Sequence, residues 1–398
     1  GAGGCRLKGR AVFGPRALPG ESWRVSIEKV TKAAVFGRGD GRLTTSPGRV
    51  EPDCPNFGRC GGCDLMHMSY ECELQMKLDR VNDALRRIGG TEVRAERILG
   101  SERVEGYRNK AIYAVGEGEN GPVAGFYRTS SHDIIHAPNC LLQSDEASKC
   151  AGAVVDWMRT NGVSAWNGRS GTVRHVYTRR ARDGTALCCV VTGRRLSPSL
   201  TRSLTEALRS ACPALTGVVE CVNRTEGNTV LSGEFRTLWG SGMLRDRLCG
   251  FEFELAPQAF YQINPPQAER LYAQALEYAL PERGGTVLDL YCGAGTITLL
   301  MAARGANATG VEIVRPAVLD AIASAKRNGL DARFLLGDAA EALPRLVASG
   351  ERFAAAVLDP PRRGVDERVH KSCRYHGHFD AAVQLRYERP DDRSPVER

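Results

Sequence analysis

Three closely spaced cysteines form the most reactive cluster in this sequence. Cys54, Cys60 and Cys63 make a Cys-x5-Cys-x2-Cys run in a chain of 398 residues with 14 cysteines. That number is too small for a disulfide scaffold, and the first residues show no signal-peptide pattern, so we expect a protein of the reducing cytoplasm. In that compartment a cysteine cluster indicates metal. Thiolates bind both a tetrahedral zinc ion and an iron–sulfur cluster, so the cysteines alone do not decide between these two kinds of site.

A second group of reactive residues consists of carboxylates that follow predicted strands. Residues 287–291 read as a buried strand, and the glycine-rich segment 292–296 turns it into a helix. Later strands end near Glu312, Asp338 and Asp359. Because the carboxyl ends of parallel strands meet at one edge of a sheet, we expect these side chains to line one crevice. Glu312 could accept hydrogen bonds from an unphosphorylated ribose, whereas Asp338 could equally be a helix N-cap.

The turn after the last of these strands limits the reactions that the site could catalyse. It reads Asp359-Pro360-Pro361-Arg362. Turns of the form Asp/Asn-Pro-Pro followed by an aromatic residue suit methylation of exocyclic amines. Here a guanidinium group follows instead, and it suits a phosphate better than a flat base.

The rest of the sequence predicts three domains that position these groups. Residues 1–50 alternate β-prone segments with Gly and Pro turns, which is typical of a small OB-type β-barrel, and we expect its N-terminal strand to be missing. Residues 51–250 form a mixed α+β central domain that contains the cysteine run and a helix over 70–88. Residues 251–398 alternate helices and strands, which predicts the α/β fold of a doubly wound parallel sheet.

Composition limits the partners. Lys and Arg number 54 against 46 Asp and Glu, which gives a formal net charge of +8. This sign is expected for a protein that binds a phosphate-rich partner, although many enzymes are similarly basic. No apolar run is long enough to cross a bilayer, so we expect no membrane partner.

Several motifs resemble those of the RNA uracil-C5 methyltransferases, most closely the iron–sulfur-containing members that act on 23S ribosomal RNA. The similarity covers about residues 10–369. It includes the cysteine run with Cys140, the segments Gly-Tyr-Arg-Asn-Lys at 106–110 and Gly-Phe-Tyr-Arg at 125–128, and Phe-Tyr-Gln-Ile-Asn at 260–264. The resemblance implies a class I, Rossmann-like methyltransferase sheet in the C-terminal domain and a TRAM domain at the N-terminus.

The resemblance also implies ligands. S-adenosylmethionine would contact Gln262, Tyr291, Glu312, Asp338 and Asp359, although Tyr291 could instead be a packing residue. A 4Fe-4S cluster would be held by Cys54, Cys60, Cys63 and Cys140, with zinc as the alternative metal. The implied partner is RNA, in particular 23S ribosomal RNA, and we expect a monomer. A basic face of the TRAM domain would bind the RNA through Arg10, Arg16, Arg24, Lys29, Lys32 and Arg38, unless these are only scattered solvated charges.

The implied reaction is methylation of uracil carbon 5 in RNA to 5-methyluridine. In this family a cysteine thiolate adds to carbon 6 of an extruded base, the resulting enolate attacks the sulfonium methyl group, and a glutamate removes the carbon-5 proton. After residue 369 the sequence departs from the family, with neither the expected Ser-Cys-Asn-Pro segment nor a His-x-Glu context. Cys373 follows a serine but lacks Asn-Pro after it, so the catalytic residues stay unassigned. We expect an incomplete sheet with an exposed edge.

Other functions fit parts of the sequence. A non-catalytic RNA-binding protein that retains cofactor binding would explain the missing nucleophile, and a tRNA uracil-5 methyltransferase would share most motifs. A dinucleotide-dependent oxidoreductase would share the glycine loop, but it would explain neither the Asp-Pro-Pro-Arg turn nor the segment 260–264.

Overall fold

The computed structural model of the chain describes residues 2–7, 9–227, 229–280, 284–361, 364–369, 372 and 379–384. Arg362 and Cys373, which sequence analysis considered for roles in the site, lie outside the described residues. The chain divides into two compact units. Unit 1 comprises residues 1–103 and 125–140, and unit 2 comprises 104–124 and 141–398. The predicted boundaries of three domains stay a prediction.

Unit 1 begins with a four-stranded sheet. Its strands are β1 (Ala2–Leu7), β2 (Arg10–Pro15), β3 (Trp23–Val30) and β4 (Ala34–Arg42), in the order β1-β2-β4-β3. The contact between β2 and β4 is parallel, and the other two pairings are antiparallel. Sequence analysis did not predict β1, and its backbone pairs with β2 along its whole length. That the domain lacks its N-terminal strand stays a prediction.

Helix α1 (Tyr70–Arg87) follows in unit 1, as predicted to within one residue. The Ser69 side chain caps it by accepting a hydrogen bond from the backbone N–H of Cys72, and acidic residues in the first turn and basic residues in the last complement the helix dipole. A hairpin of β6 (Gly121–Tyr127) and β7 (Ile134–His136) completes the unit, with β6 entering it at Gly125.

The first half of unit 2 is a mixed sheet with two helices. Strands β11, β10, β9, β8 and β5 lie side by side in that order, and only β9 and β10 run parallel. The elements are β5 (Lys110–Gly118), α2 (Asp145–Asn161), β8 (Val173–Arg180), β9 (Ala186–Thr192), α3 (Pro198–Ala211), β10 (Leu215–Val222), β11 (Glu234–Gly240), β12 (Leu244–Leu248) and β13 (Phe251–Leu255). Ser197 is the N-cap of α3 and Pro198 is its first residue, which are residue types that favour the start of a helix.

The second half of unit 2 confirms the predicted doubly wound α/β fold. Its strand order is β16-β15-β14-β17-β18, and all four pairings are parallel. The order reverses at β14, so the switch point where such folds bind ligands lies at the carboxyl end of β14, between it and β17. The elements are α4 (Pro265–Ala279), β14 (Thr286–Leu290), α5 (Thr296–Ala303), β15 (Asn307–Glu312), α6 (Arg315–Arg327), β16 (Arg333–Leu336), α7 (Ala339–Ala348), β17 (Phe353–Leu358) and β18 (Phe379–Gln384).

Strand β14 is buried on both faces, as parallel strands usually are. Val287 belongs to an apolar cluster with residues of α4 and α5, whereas Leu288 and Leu290 belong to a second cluster with residues of α7. Within the described chain, β18 has β17 as its strand neighbour on one side only. Among the described helices, none has the length and apolar content needed to span a bilayer.

Candidate cofactor site and cysteine loop

The loop after β14 is built from backbone conformations that favour glycine. Gly293 and Gly295 have φ angles of +54° and +81°, and Tyr291 adopts the left-handed region at +66°. A Cβ atom on Gly295 would lie 2.9 Å from the Cβ of Ala321 and from the ring of Phe334. The chain therefore turns tightly from β14 into α5, which leaves backbone N–H groups at the carboxyl end of the sheet.

Strand β15 passes beneath this loop at Gly310. A Cβ atom there would lie 2.8 Å from Cys292 Sγ, 2.8 Å from Thr298 Oγ1 and 2.9 Å from the Phe334 ring. Atoms that are not bonded to each other do not approach this closely, so only glycine lets the strand, the loop and helix α5 meet here.

Glu312, at the end of β15, fastens the loop. Its carboxylate accepts hydrogen bonds from the backbone N–H of Gly293 at 3.0 Å and of Val314 at 2.8 Å. A carboxylate has about four lone-pair positions, so these two bonds leave capacity for the hydroxyl groups of a ribose. The structure places Glu312 at the switch point, where sequence analysis predicted a ribose acceptor.

Asp289 lies in the floor of the site. It is fully buried in β14, and Thr298 donates a hydrogen bond to its carboxylate at 2.6 Å. Burial raises the pKa of Asp289 to about 7, and the negative charges of Asp359 and Glu312 act in the same direction. A carboxyl group in this position supports α5 from below.

Asp338 and Tyr291 show the alternative roles that sequence analysis allowed. Asp338 is the N-cap of α7, because its side chain accepts a hydrogen bond from the N–H of Ala340 at 2.8 Å. The residue before it donates its N–H to the Glu312 carbonyl, so Asp338 also follows a strand end of the site. Tyr291 packs against the apolar cluster that contains residues of α7. Contacts from either residue to the cofactor stay a prediction.

The segment 260–264 is held by two residues of the neighbouring sheet. The Asn109 side chain donates to the carbonyl of Gln262 at 2.9 Å, and its backbone N–H donates to the carbonyl of Ile263 at 2.9 Å. Arg179, which is 1% exposed, donates to the carbonyl of Ala259 at 2.7 Å. Sequence analysis missed Arg179, because nothing in the sequence distinguishes it from the other two arginines of β8.

A buried tyrosine connects this segment to the strand ends. Tyr272 of α4 is 5% exposed, and the side chain of Gln262 is a hydrogen-bonding neighbour of its hydroxyl group. Burial raises the pKa of Tyr272, and the negative charge of Asp359 raises it further. The Gln262 side chain therefore lies beside Tyr272, and Asp359 is near enough for its charge to act on the Tyr272 hydroxyl group. Tyr272 was also missed, since at its helical spacing it reads as a core residue.

The four predicted metal ligands lie in unit 1 and are all partly buried. The loop with Cys54, Cys60 and Cys63 runs along the β6–β7 hairpin, which is followed by Cys140. Backbone bonds join them: Gly61 N–H to the Tyr127 carbonyl at 2.9 Å, and Thr129 N–H to the Arg59 carbonyl at 3.4 Å. The Asn56 side chain adds a bond to the His136 carbonyl at 3.0 Å.

The thiol groups do not form a ligand set in this structure. Within the described residues, no three His, Cys, Asp or Glu side chains are arranged so that they could hold a metal ion. The Gly62 N–H does point at Cys60 Sγ, 3.4 Å away. The fold brings the cysteine loop and the hairpin together, but it does not support the predicted iron–sulfur site.

Comparison with known proteins identifies the family. A family model described as a methyltransferase domain matches residues 281–360, which contain the glycine loop and the strand ends. A protein named as an uncharacterized RNA methyltransferase of Halalkalibacterium halodurans is 38% identical over 94% of this chain and 82% of its own length. A second, from Bacillus cereus, is 37% identical over 93% and 81%. The chain belongs to the RNA methyltransferase family.

This RNA methyltransferase also shares its fold with a solved structure. The crystal structure of a Pyrococcus abyssi tRNA (uracil-54, C5)-methyltransferase, in complex with S-adenosyl-L-homocysteine, superposes with a TM-score of 0.72 and 24% sequence identity. The match covers 91% of this chain and 82% of that chain. The predicted methyltransferase fold and the membership of the RNA methyltransferases are confirmed, and S-adenosylmethionine is supported as the cofactor. Action on carbon 5 of uracil stays a prediction.

Proposed function

We propose that this RNA methyltransferase methylates carbon 5 of uracil, in 23S ribosomal RNA, to form 5-methyluridine. The observation that carries the proposal is that Asn109 holds the motif at 260–264 by hydrogen bonds to the Gln262 and Ile263 carbonyls. Arg179 holds the preceding residue, Ala259, by its carbonyl. The resemblance to uracil-C5 enzymes implies that Gln262 of this motif contacts the cofactor.

The charge of the crevice favours this cofactor over a dinucleotide. S-adenosylmethionine supplies an electrophilic methyl group and carries a sulfonium cation. We propose Gln262, Tyr291, Glu312, Asp338 and Asp359 as its contacts, three of which are carboxylates. Fixed negative charges attract a cation and would repel a pyrophosphate. The carboxylates therefore support a methyl donor and disfavour the oxidoreductase alternative.

The nucleophile that carbon 5 chemistry requires is not assigned. Cys292 lies at the crevice, but it is 9% exposed, and burial raises its pKa. A protonated, buried thiol is a poor nucleophile, so Cys292 is a packing residue. Cys373 lies outside the described residues. An experiment therefore has to distinguish the enzyme from the non-catalytic alternative, an RNA-binding protein that retains the cofactor.

The reaction is tested by incubating the anaerobically purified chain with methyl-labelled S-adenosylmethionine and unmodified transcripts of 23S ribosomal RNA and of tRNA. We expect label in 5-methyluridine of the ribosomal transcript. Label in the tRNA alone would assign the other substrate, and label on another atom would refute the proposal. A version extended by a family-like C-terminus is the control: if only that version transfers methyl groups, this chain lacks its nucleophile. Loss of transfer in Cys373→Ser would make Cys373 the nucleophile.

We also propose that Cys54, Cys60, Cys63 and Cys140 hold a 4Fe-4S cluster. The spacing of the first three and the N–H donor at Cys60 Sγ support this, since hydrogen bonds to sulfur are common at such clusters. The test is iron, sulfide and zinc analysis of the anaerobically purified chain, with Cys60→Ser beside Cys72→Ser as the matched control. Iron and sulfide in equal amounts, lost only in Cys60→Ser, are expected; stoichiometric zinc, or no metal, would contradict the proposal.

A further inference from the structure

A cavity of about 410 Å³ opens in unit 1. Its volume lies within the range of about 300–1,000 Å³ that is typical of ligand pockets. We call it the Trp23 cavity. Its chemically distinctive lining consists of three aromatic side chains, Trp23, Phe57 and His67, and three guanidinium groups, those of Arg16, Arg38 and Arg49.

The Trp23 side chain is held by a hydrogen bond at the edge of its ring and by guanidinium groups over the face of its ring. Its indole N–H donates to the Glu21 carboxylate at 2.9 Å, and the guanidinium carbons of Arg42 and Arg49 lie 5.9 and 5.8 Å from its ring centre. A Cβ atom on Gly39 would come within 2.9 Å of the ring, so the strand beside it needs glycine there. A fixed ring on a cavity wall loses little freedom when a flat ligand stacks on it.

The available charge of the cavity is positive. The Arg49 guanidinium donates to both oxygens of Glu21, whose side chain is fully buried, so this pair is neutral overall. Arg16 is exposed, and the Arg38 side chain is 68% exposed with its ion pairs at the surface. Such surface ion pairs are weak and exchange readily for a stronger anion. One acidic side chain, the exposed Glu51, also lines the cavity.

His67 gives the cavity a neutral polar group. It is 3% exposed, and its ring lies 5.3 Å from that of Phe57. Neither ring nitrogen has a hydrogen-bond partner among the described residues, although the backbone of Arg16 is close by. Burial lowers the pKa of His67, so one nitrogen is a donor and the other an acceptor. Buried polar groups usually have partners, so this ring indicates a ligand that brings them.

We propose that the Trp23 cavity binds one unpaired nucleotide of the RNA, other than the nucleotide that is methylated. The base lies against Trp23 with its polar edge toward His67, and its phosphate lies at Arg16 and Arg38. A nucleobase has both a flat face and an edge with donors and acceptors, whereas a free phosphate would use only the arginines. This inference rests on the RNA substrate of the proposed function.

The direct test is the affinity of the full chain for a labelled single-stranded oligouridylate of about ten nucleotides, a length within the usual ~4–16-nucleotide site. Binding is measured by fluorescence anisotropy without S-adenosylmethionine. We expect Trp23→Ala to weaken binding about 5–150-fold, the loss of one base stack, and Trp23→Phe to weaken it less. Trp239→Ala is the matched control, because Trp239 in unit 2 also lies under a guanidinium group, that of Arg209 at 4.4 Å.

The salt dependence of RNA binding distinguishes contacts to the base from contacts to the phosphate. Arg38→Ala, at an exposed position, is expected to lower the slope of log K against log salt by about 1, whereas Trp23→Ala leaves the slope unchanged. An abasic oligonucleotide of equal length is expected to bind wild type and Trp23→Ala equally. Wild-type affinity in both Trp23→Ala and Arg38→Ala would overturn the proposal.

Cross-linking covers the case in which Trp23→Ala does not fold. Irradiation of the wild-type chain with RNA that contains 4-thiouridine should give a cross-link in the peptides that carry Trp23, Phe57 or His67, and cross-links only elsewhere would refute the cavity. Failure of the proposed function looks different: methylation would be absent or on another atom while Trp23-dependent binding persists. Normal 5-methyluridine formation with Trp23-independent binding would overturn the cavity alone.

Discussion

The cofactor crevice of unit 2 and the Trp23 cavity of unit 1 are built with opposite charges. In the crevice, acidic side chains are held by backbone N–H groups, as in the two bonds to Glu312. In the cavity, the buried acid Glu21 is already paired with Arg49, and exposed guanidinium groups remain. A small cation requires anions fixed in one geometry, whereas a flexible polyanion is bound by cations that can move toward it. Ligand affinity at the cofactor crevice should therefore depend on how the side chains are positioned, and ligand affinity at the Trp23 cavity should depend on the salt concentration.

The largest effect is expected from removing the hydrogen bonds that hold the loop of the cofactor crevice. Glu312→Ala deletes two charge-assisted hydrogen bonds, each worth about 1.5–3 kcal/mol, together with the proposed ribose acceptor. We expect S-adenosylmethionine affinity to fall more than about 100-fold in titration calorimetry. Glu341→Ala, at an acidic residue in the first turn of α7, is the control. Unchanged affinity in Glu312→Ala would mean that the crevice is not preorganised by this residue.

A smaller effect is expected from a residue that holds a proposed cofactor contact without touching the cofactor itself. Asn109→Ala removes the bond that holds the Gln262 carbonyl and leaves that carbonyl without this donor. We expect a loss of about 1–3 kcal/mol, seen as a roughly 5–150-fold weaker S-adenosylmethionine affinity. Asn161→Ala removes a similar amide-to-carbonyl bond in α2 and should leave the affinity unchanged. Equal effects in both variants would show general destabilisation instead of positioning.

In unit 1, the corresponding change is Glu21→Gln. The Arg49 hydrogen bonds hold the pKa of Glu21 at about 2, well below its ordinary value. A lowered pKa stabilises the folded state above about pH 4.5, and this stabilisation disappears as the pH falls toward 2. We expect Glu21→Gln to cost about 1–3 kcal/mol at pH 7 and to flatten the acid dependence of urea unfolding, with exposed Glu28→Gln as the control. An unchanged acid dependence would separate Glu21 from the stability of unit 1.

Expressed per pH unit, the smallest effect concerns Asp289, and it has the opposite sign. Its pKa is raised to about 7, so the folded state binds the extra proton between about pH 4 and pH 7. Stability in unit 2 should therefore decrease as the pH rises through this range, by at most about 1.4 kcal/mol per pH unit. Asp289→Asn should remove this slope, and exposed Asp331→Asn should keep it. Urea unfolding that shows the same slope in both variants would refute the assignment.

Elements with strong apolar periodicity could be predicted from the sequence. The predicted helix over 70–88 ends one residue later than α1, and the predicted strand over 287–291 is shifted by one residue from β14. The β12–β13 hairpin was not predicted, because β12 contains three consecutive charged residues, Arg245, Asp246 and Arg247, which hide the strand pattern. Their stabilising pairs, Arg245 with Glu254 and Arg247 with Glu252, become recognisable only when the two strands are aligned.

The candidate site was predictable where its residues follow strands in sequence order. Glu312 and Asp359 come directly at or after strands, so the parallel topology alone places them in one crevice. Arg179 was not predictable, because its bond to the Ala259 carbonyl joins residues 80 positions apart. The same holds for the neighbourhood of Tyr272 and Asp359, which requires the packing of α4 against the sheet.

The crowding around Gly310 sets the mutational tolerance of the cofactor loop. A library with every amino acid at this position should retain function only in the glycine clones, because three separate groups occupy the space of a Cβ atom. Gly293 has open space around its Cα and a φ angle of +54°, so asparagine there should survive selection better than valine. Two glycines of one site, Gly310 in β15 and Gly293 in the loop above it, would thus differ among functional variants. Gly310 would be invariant because of its neighbours, and Gly293 would be restricted only by its backbone conformation.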